Sequence, residues 1–194
     1  MKMNRSEQVY QYTCKKLKYL SDMQKNNTIM AELRHGIGKE PGEIPELWGI
    51  IFDEIPDTLI GYGKASYAEW AIYTALTLYA LHQQGKEENM YEEGMSLGRA
   101  ASHLVKDKDD DIKRITNRLN LVVTSVSPED LAYHLRGIIQ LLKSNDISLD
   151  YARLAKELYM FHNRETASAI KISWGRDFYG KLNRLEKEEN DNNE

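Results

Sequence analysis

Apolar residues recur along this chain at three- and four-residue intervals without sustained alternation, a pattern that predicts an all-α protein. Val9, Tyr12, Leu17, Leu20 and Met23 mark a first helix over residues 5–24, although Lys16 stands where the stripe would best continue from Tyr12. Lys25, Asn26 and Asn27 interrupt it. A short helix then ends near His35, with Gly36 able to take the left-handed position beyond its C-terminus. Pro45 suits a helix start, and the segment that follows is expected to bury Leu47, Trp48, Ile51 and either Phe52 or Ile55. "PDTLIGYGK", residues 56–64, reads as a loop.

The clearest helix is "SYAEWAIYTALTLYALHQQG", residues 66–85. Ser66 and Glu69 have the form of a capping box, and Gly85 supplies the stop. Ala71, Thr74, Leu78 and Leu81 form one apolar stripe, and Trp70, Tyr73, Thr77 and Ala80 widen it, which predicts a central position. "GKEENMYEEG", residues 85–94, is a polar connection and the best candidate boundary between two small helical-bundle domains, 1–88 and 94–185. In the second section Ser127, Pro128 and Asp130 open one helix, Ser148 is expected to start the next, and a last helix covers about 165–185. Gly175 within it weakens the helix or marks a close contact. The acidic tail, 186–194, has little to bury and is expected to be disordered.

Charge divides this pattern into sections. Residues 1–39 hold 8 basic and 3 acidic side chains, and residues 40–98 hold 2 and 11. Residues 99–185 hold 15 and 11, and the tail 1 and 5, which returns the formal net charge of -4. A mildly acidic protein can thus carry basic surfaces on its first and third sections, where a polyanion would be felt. No apolar run is long enough for a membrane span, and "MKMNRSEQ" lacks the apolar stretch of a secretory signal, so a cytoplasmic location is expected. Cys14 is the only cysteine, which excludes an internal disulfide and a thiolate metal cluster.

Catalytic chemistry is hard to assemble from these residues. Glu32 and His35 form one Glu-x-x-His unit, but a di-iron bundle needs a second unit and two further glutamates, and no second unit occurs. Cys14, among lysines, reads as half-buried packing, and His134 as a satisfied residue bordering the core. "KDKDDD", residues 106–111, reads as a solvated turn or a helix start. Phosphate-binding glycine loops, zincin motifs and nucleophile elbows are absent. The expectation is therefore no enzyme, no cofactor and no metal.

The arginines carry the remaining signal. Ile112, Ile115, Leu119 and Val122 form a core stripe, and Arg114 and Arg118, four residues apart, share the face beside it, flanked by Lys113 and Asn117. Leu131, Leu135, Ile138 and Leu142 form the next stripe, with Arg136 and Lys143 on the face rotated from it. Arg99, Arg153 and Arg176 each follow the same design. Such an arginine either lays its stem on the core and pairs with an acid, or belongs to a face that grips phosphates through its planar fork. No stacking motif or recognition-helix signature accompanies them, which favours backbone over base contacts.

"ELRHG" (32–36), "SLGRAASHL" (96–104), "LAYHLRGIIQLLKS" (131–144), "LDYARLAKELYMF" (149–161) and "WGRDFY" (174–179) occur here in order. In this ordered set the chain resembles the CasB family, the small subunit of the type I-E CRISPR surveillance complex Cascade. The resemblance implies an all-helical, non-catalytic subunit of two small domains, paired end to end with a second copy and held by other Cascade subunits. It implies contact with the crRNA and target strand and stabilisation of the displaced non-target DNA strand. The family's basic residues fall on Arg34, Arg99, Arg114, Arg118 and Arg136, with Lys113 and Lys143 as additions. A purely structural helical spacer, whose arginines pair with acids on neighbouring subunits, is the main alternative. A helical metal-dependent enzyme is the other.

Overall fold

Every residue of α4 (Tyr67–Gln83) except Tyr67 is buried, which follows from its nearly continuous apolar and small side chains. In a computed structural model, describing residues 3–22, 27–106 and 108–191, this helix is the axis on which α1, α2, α3, α7 and α8, given below, pack. Its start is the expected capping box. Ser66 Oγ accepts from the Glu69 amide at 3.0 Å, and Glu69 Oε2 accepts from the Ser66 amide at 2.6 Å and the Gly61 amide at 2.9 Å. Gly85, at φ +74°, turns the chain out of it.

Around α4 lie α1 (Arg5–Asp22), α2 (Asn27–His35), α7 (Pro128–Ser144) and α8 (Tyr151–Phe161). The short α3 (Trp48–Phe52) follows a 3-10 turn at Pro45–Leu47. Further on, α5 (Leu97–Ser102) crosses α9 (Arg164–Asp191), and α6 (Lys108–Val123) packs on α7. Among the described residues there is no strand, only an isolated bridge between Tyr91 and Leu149. No helix is long and apolar enough to cross a membrane. Because α8 lies against both α1 and α4, buried side chains from either side of the 85–94 connection join one hydrophobic cluster.

Several local expectations change. Lys16 does continue the α1 stripe: its stem is buried, and its ammonium lies 5.2 Å from the centre of the Tyr12 ring. Met23, Lys25 and Asn26 lie outside the described residues. Trp48, expected in the core, is 52 % exposed and donates its indole N–H to the Gly42 carbonyl at 2.8 Å, while Ile50 takes the buried place beside Leu47 and Ile51. Phe52 and Ile55 are both half-buried. The loop at 56–64 contains a 3-10 turn, Asp57–Leu59.

Gly36 is not left-handed; Gly38 is, at φ +82°. Gly36 is needed for proximity, since a Cβ there would stand 2.4 Å from Tyr73 Oη, which donates to the Gly36 carbonyl at 2.9 Å. The same holds at Gly98, where a Cβ would lie 2.2 Å from the Trp174 carbonyl oxygen, whereas Gly175 faces open space. The close helix approach is therefore made by the glycine of α5 and not by that of α9. Asp150, not Ser148, caps α8, accepting from the Arg153 amide at 2.8 Å; Ser148 bonds Glu92. The α9 backbone stays helical through Asp191, into the tail expected to be disordered; its first four residues there, Glu186 to Glu189, are good helix formers. Residues 192–194 lie outside the described residues.

Candidate nucleic-acid interface

The α6–α7 pair sets the first group of cations. Ile115, Leu119 and Val122 are buried against α7, whose Leu131, Leu135, Ile138 and Leu142 are buried in turn. The helical period then leaves Lys113, Arg114 and Arg118 exposed on α6 and Arg136 exposed on α7. Arg118 reaches across to the second helix, with Nη1 3.2 Å from where a Cβ would stand on Gly137, the residue after Arg136. Arg114 Nη2 donates to Asp111 Oδ1 at 2.6 Å. The side chains of Lys113, Arg118 and Arg136 make no hydrogen bond or ion pair among the described residues. "KDKDDD" acts as a helix start, since α6 begins at Lys108, and Asp111 also accepts from the Lys106 amide.

A second group gathers at the C-terminal end of α4. Lys143 of α7 donates to Gln84 Oε1 at 3.2 Å, and Lys86, placed by the Gly85 turn, pairs with Asp146. Burial, with the charges of Lys86 and Arg34, holds the Lys143 ammonium below the usual lysine value. Half-buried Arg34, at the end of α2, is the third cation whose charge is felt at Lys143. Beneath it His82 is fully buried, its Nδ1 2.8 Å from Tyr151 Oη and its Nε2 without a partner. Burial, then the charges of Lys86 and Lys143, push His82 down to about 4, so the imidazole is neutral at pH 7.

Arg99 is exposed on α5, and no hydrogen bond or ion pair among the described residues ties it to either group. Lys86 was missed in the sequence because it is one of two cations in the most acidic section; its place beside the Gly85 stop was the available signal. Arg153, of the same sequence design as Arg99, is structural. It donates to Glu157 Oε1 at 2.7 Å and Asp177 Oδ2 at 3.1 Å, while Trp174 Nε1 donates to Glu157 Oε2 at 2.6 Å and Ser96 Oγ to Asp177 at 2.6 Å. Desolvation raises the Glu157 carboxyl, and these donors oppose that rise.

The remaining candidates behave as packing groups. Cys14 is half-buried with Sγ 3.6 Å from Tyr91 Oη, and burial raises its thiol, which disfavours the nucleophilic thiolate. His134 Nε2 lies 3.1 Å from Asp130 Oδ1, one helical turn away. Among the described residues no group of three or more His, Cys, Asp or Glu side chains is arranged to hold a metal.

Residues 29–179 match the family model of the CRISPR-associated protein Cse2. The fold is similar to CasB from Thermobifida fusca, at 31 % identity and a TM-score of 0.70, over 89 % of this chain and 96 % of that one. CasB from Thermus thermophilus is similar at 21 % identity and a TM-score of 0.66, over 92 % and 99 %. A chain of a CRISPR RNA-guided surveillance complex shares the fold at 19 % identity and a TM-score of 0.70, over 93 % and 98 %. No curated protein matches. With the helical core, the basic α6–α7 face and a family match over most of its length, the chain belongs to the CRISPR-associated Cse2 (CasB) family.

Proposed function

We propose that this chain is the non-catalytic small subunit of a type I-E Cascade complex. In this reading it contacts the backbone of crRNA and target DNA and stabilises the displaced non-target strand. The observation that carries the reading is the α6–α7 face, where Lys113, Arg118 and Arg136 are exposed and free of ion pairs among the described residues. A cation already neutralised by a neighbouring carboxylate gains less from a phosphate, so unpaired arginines are the ones a strand would seek. Arg114 belongs with them, because its exposed pair with Asp111 is of the kind worth about 1 kcal/mol or less and a phosphate can replace it. Arg34 and Lys143 form a second phosphate position, beside a Lys86 already paired with Asp146, and Arg99 a separate one. Family membership and the likeness to a chain of a surveillance complex support the assembly.

The spacer reading draws on the exposed acids of the second section, Glu40, Glu43 and Glu46 among them, which suit a protein neighbour better than a nucleic acid. Both are tested by mapping crosslinks from Lys113 and Lys143 in purified Cascade to RNA, to each DNA strand and to protein, with copies counted by native mass spectrometry. The proposed function requires crosslinks to nucleic acid and two copies; crosslinks to protein alone favour the spacer.

A further inference from the structure

The N-terminal ends of α1, α4 and α9 and the C-terminal end of α8 meet around a cavity of about 670 Å³. Tyr67, Tyr159, Met160 and His162 supply its apolar lining, Asn163 a polar edge, and Arg5 its cation. The Tyr67 and His162 rings are stacked, with centroids 4.3 Å apart and planes 15° apart. Tyr67 is nonetheless 56 % exposed, the one residue of α4 left outside the core. Burial holds the His162 imidazole below the usual histidine value, so it is a neutral ring at neutral pH. Arg5 makes no hydrogen bond or ion pair among the described residues, and no carboxylate among them lines the cavity.

We infer that this cavity takes one unpaired nucleotide of a single strand, its base against the Tyr67–His162 aromatic pair and its phosphate at Arg5. The volume suits a ligand of that size. The chemistry is that of a stacking platform beside a cation, which accepts any base because every base has a π-face. Tyr67 spends exposed aromatic surface here that the core of α4 does not require. The inference rests on the proposed contact with nucleic acid, but it concerns bases where that proposal concerns phosphates, so the two can fail separately.

The test compares the full chain, alone and assembled into Cascade, for binding a fluorescein-labelled twelve-nucleotide oligothymidylate and an abasic strand of equal length. The wild type should prefer the base-bearing strand by about fivefold or more. Tyr67→Ala should remove the preference and leave abasic affinity unchanged, while Tyr67→Phe, which keeps the ring, should retain it. Arg5→Ala should weaken both strands alike. Equal wild-type affinity for the two strands, or a preference that survives Tyr67→Ala, overturns the inference. So does a Tyr67→Ala chain that loses self-association with its base preference intact, which would make the cavity a protein contact. Arg114→Ala/Arg118→Ala in the same assay separates the readings: a lowered salt slope without base preference removes only the cavity, and no strand binding by the wild type in either form removes both.

Discussion

Arg118 holds its guanidinium over Gly137, with Nη1 3.2 Å from the place a Cβ would take. The approach carries the cation of α6 across to α7, one residue along the chain from exposed Arg136. Gly137 lies inside α7, where glycine costs about 0.5–1 kcal/mol relative to alanine. The only close neighbour of a new methyl is the end of a flexible side chain. Gly137→Ala should therefore stabilise the chain by roughly that amount, measured as a higher urea midpoint at unchanged slope. Strand affinity should change little, since Arg118 is displaced by tenths of an ångström and not removed. A destabilised Gly137→Ala would mean that Arg118 is held rigidly in place.

Glycines 98 and 175 should respond with opposite signs. At Gly98 the obstacle is backbone, the Trp174 carbonyl, which cannot move without separating α5 from α9. Gly98→Ala should cost at least about 2 kcal/mol. Gly175→Ala meets nothing within 4 Å and should stabilise by up to about 1 kcal/mol. Thermal melts of the two variants beside the wild type decide this, and equal shifts would contradict the packing described.

Stability should fall as pH is lowered from about 6.5 toward 4, the value to which burial, Lys86 and Lys143 push His82. Through that window the unfolded chain binds a proton that the folded chain refuses, so the folded state loses ground as pH falls. The shift corresponds to about 3 kcal/mol as an upper bound. Other groups of the chain take up protons in the same window, so the comparison is with His82→Phe, which cannot titrate at this position. Urea midpoints between pH 7.5 and 4.5 should show a flatter pH dependence in the variant. Parallel curves would show that His82 is not the group excluded from protonation.

Arg153 and Arg118 look alike in sequence and should fail differently. Arg153→Ala leaves buried Glu157 with Trp174 as its remaining donor and should cost about 3 kcal/mol of stability. In the fraction that folds, the salt dependence of strand binding should be unchanged. Arg118→Ala should leave the melting temperature within about a degree or two and lower the salt slope. Reversed outcomes would exchange the two roles.

How much of this could be read in the sequence depended on range. The α4 capping box, the Ser127 cap and the stripe from Leu131 to Leu142 rest on spacings of three or four residues, and all are present. Lys16 was an apparent break in a stripe because one letter does not tell a buried stem from a charged head. Trp48 was misplaced because a five-residue helix has too few turns to define a face, and its indole finds Gly42 instead. The glycines that matter by proximity, Gly36 and Gly98, depend on Tyr73 and Trp174, which are distant in sequence. The arginine faces followed from periodicity. The separation of Arg153 from the others required Asp177, Glu157 and Trp174 in place. The gathering of Arg34 and Lys143 with Lys86 required the turn after α4.

The most direct test of the central claim is the salt dependence of target binding by assembled Cascade carrying Arg114→Ala/Arg118→Ala, with subunit content checked by mass. If these arginines grip phosphate, the double variant assembles fully and forms R-loops less well on relaxed duplex, with its guide-specified target preference intact. Its log–log salt slope falls by about 1.4, at about 0.7 for each single-strand phosphate no longer neutralised. Equal affinities and equal slopes at full subunit occupancy, or a failure of assembly before any change in slope, would contradict it.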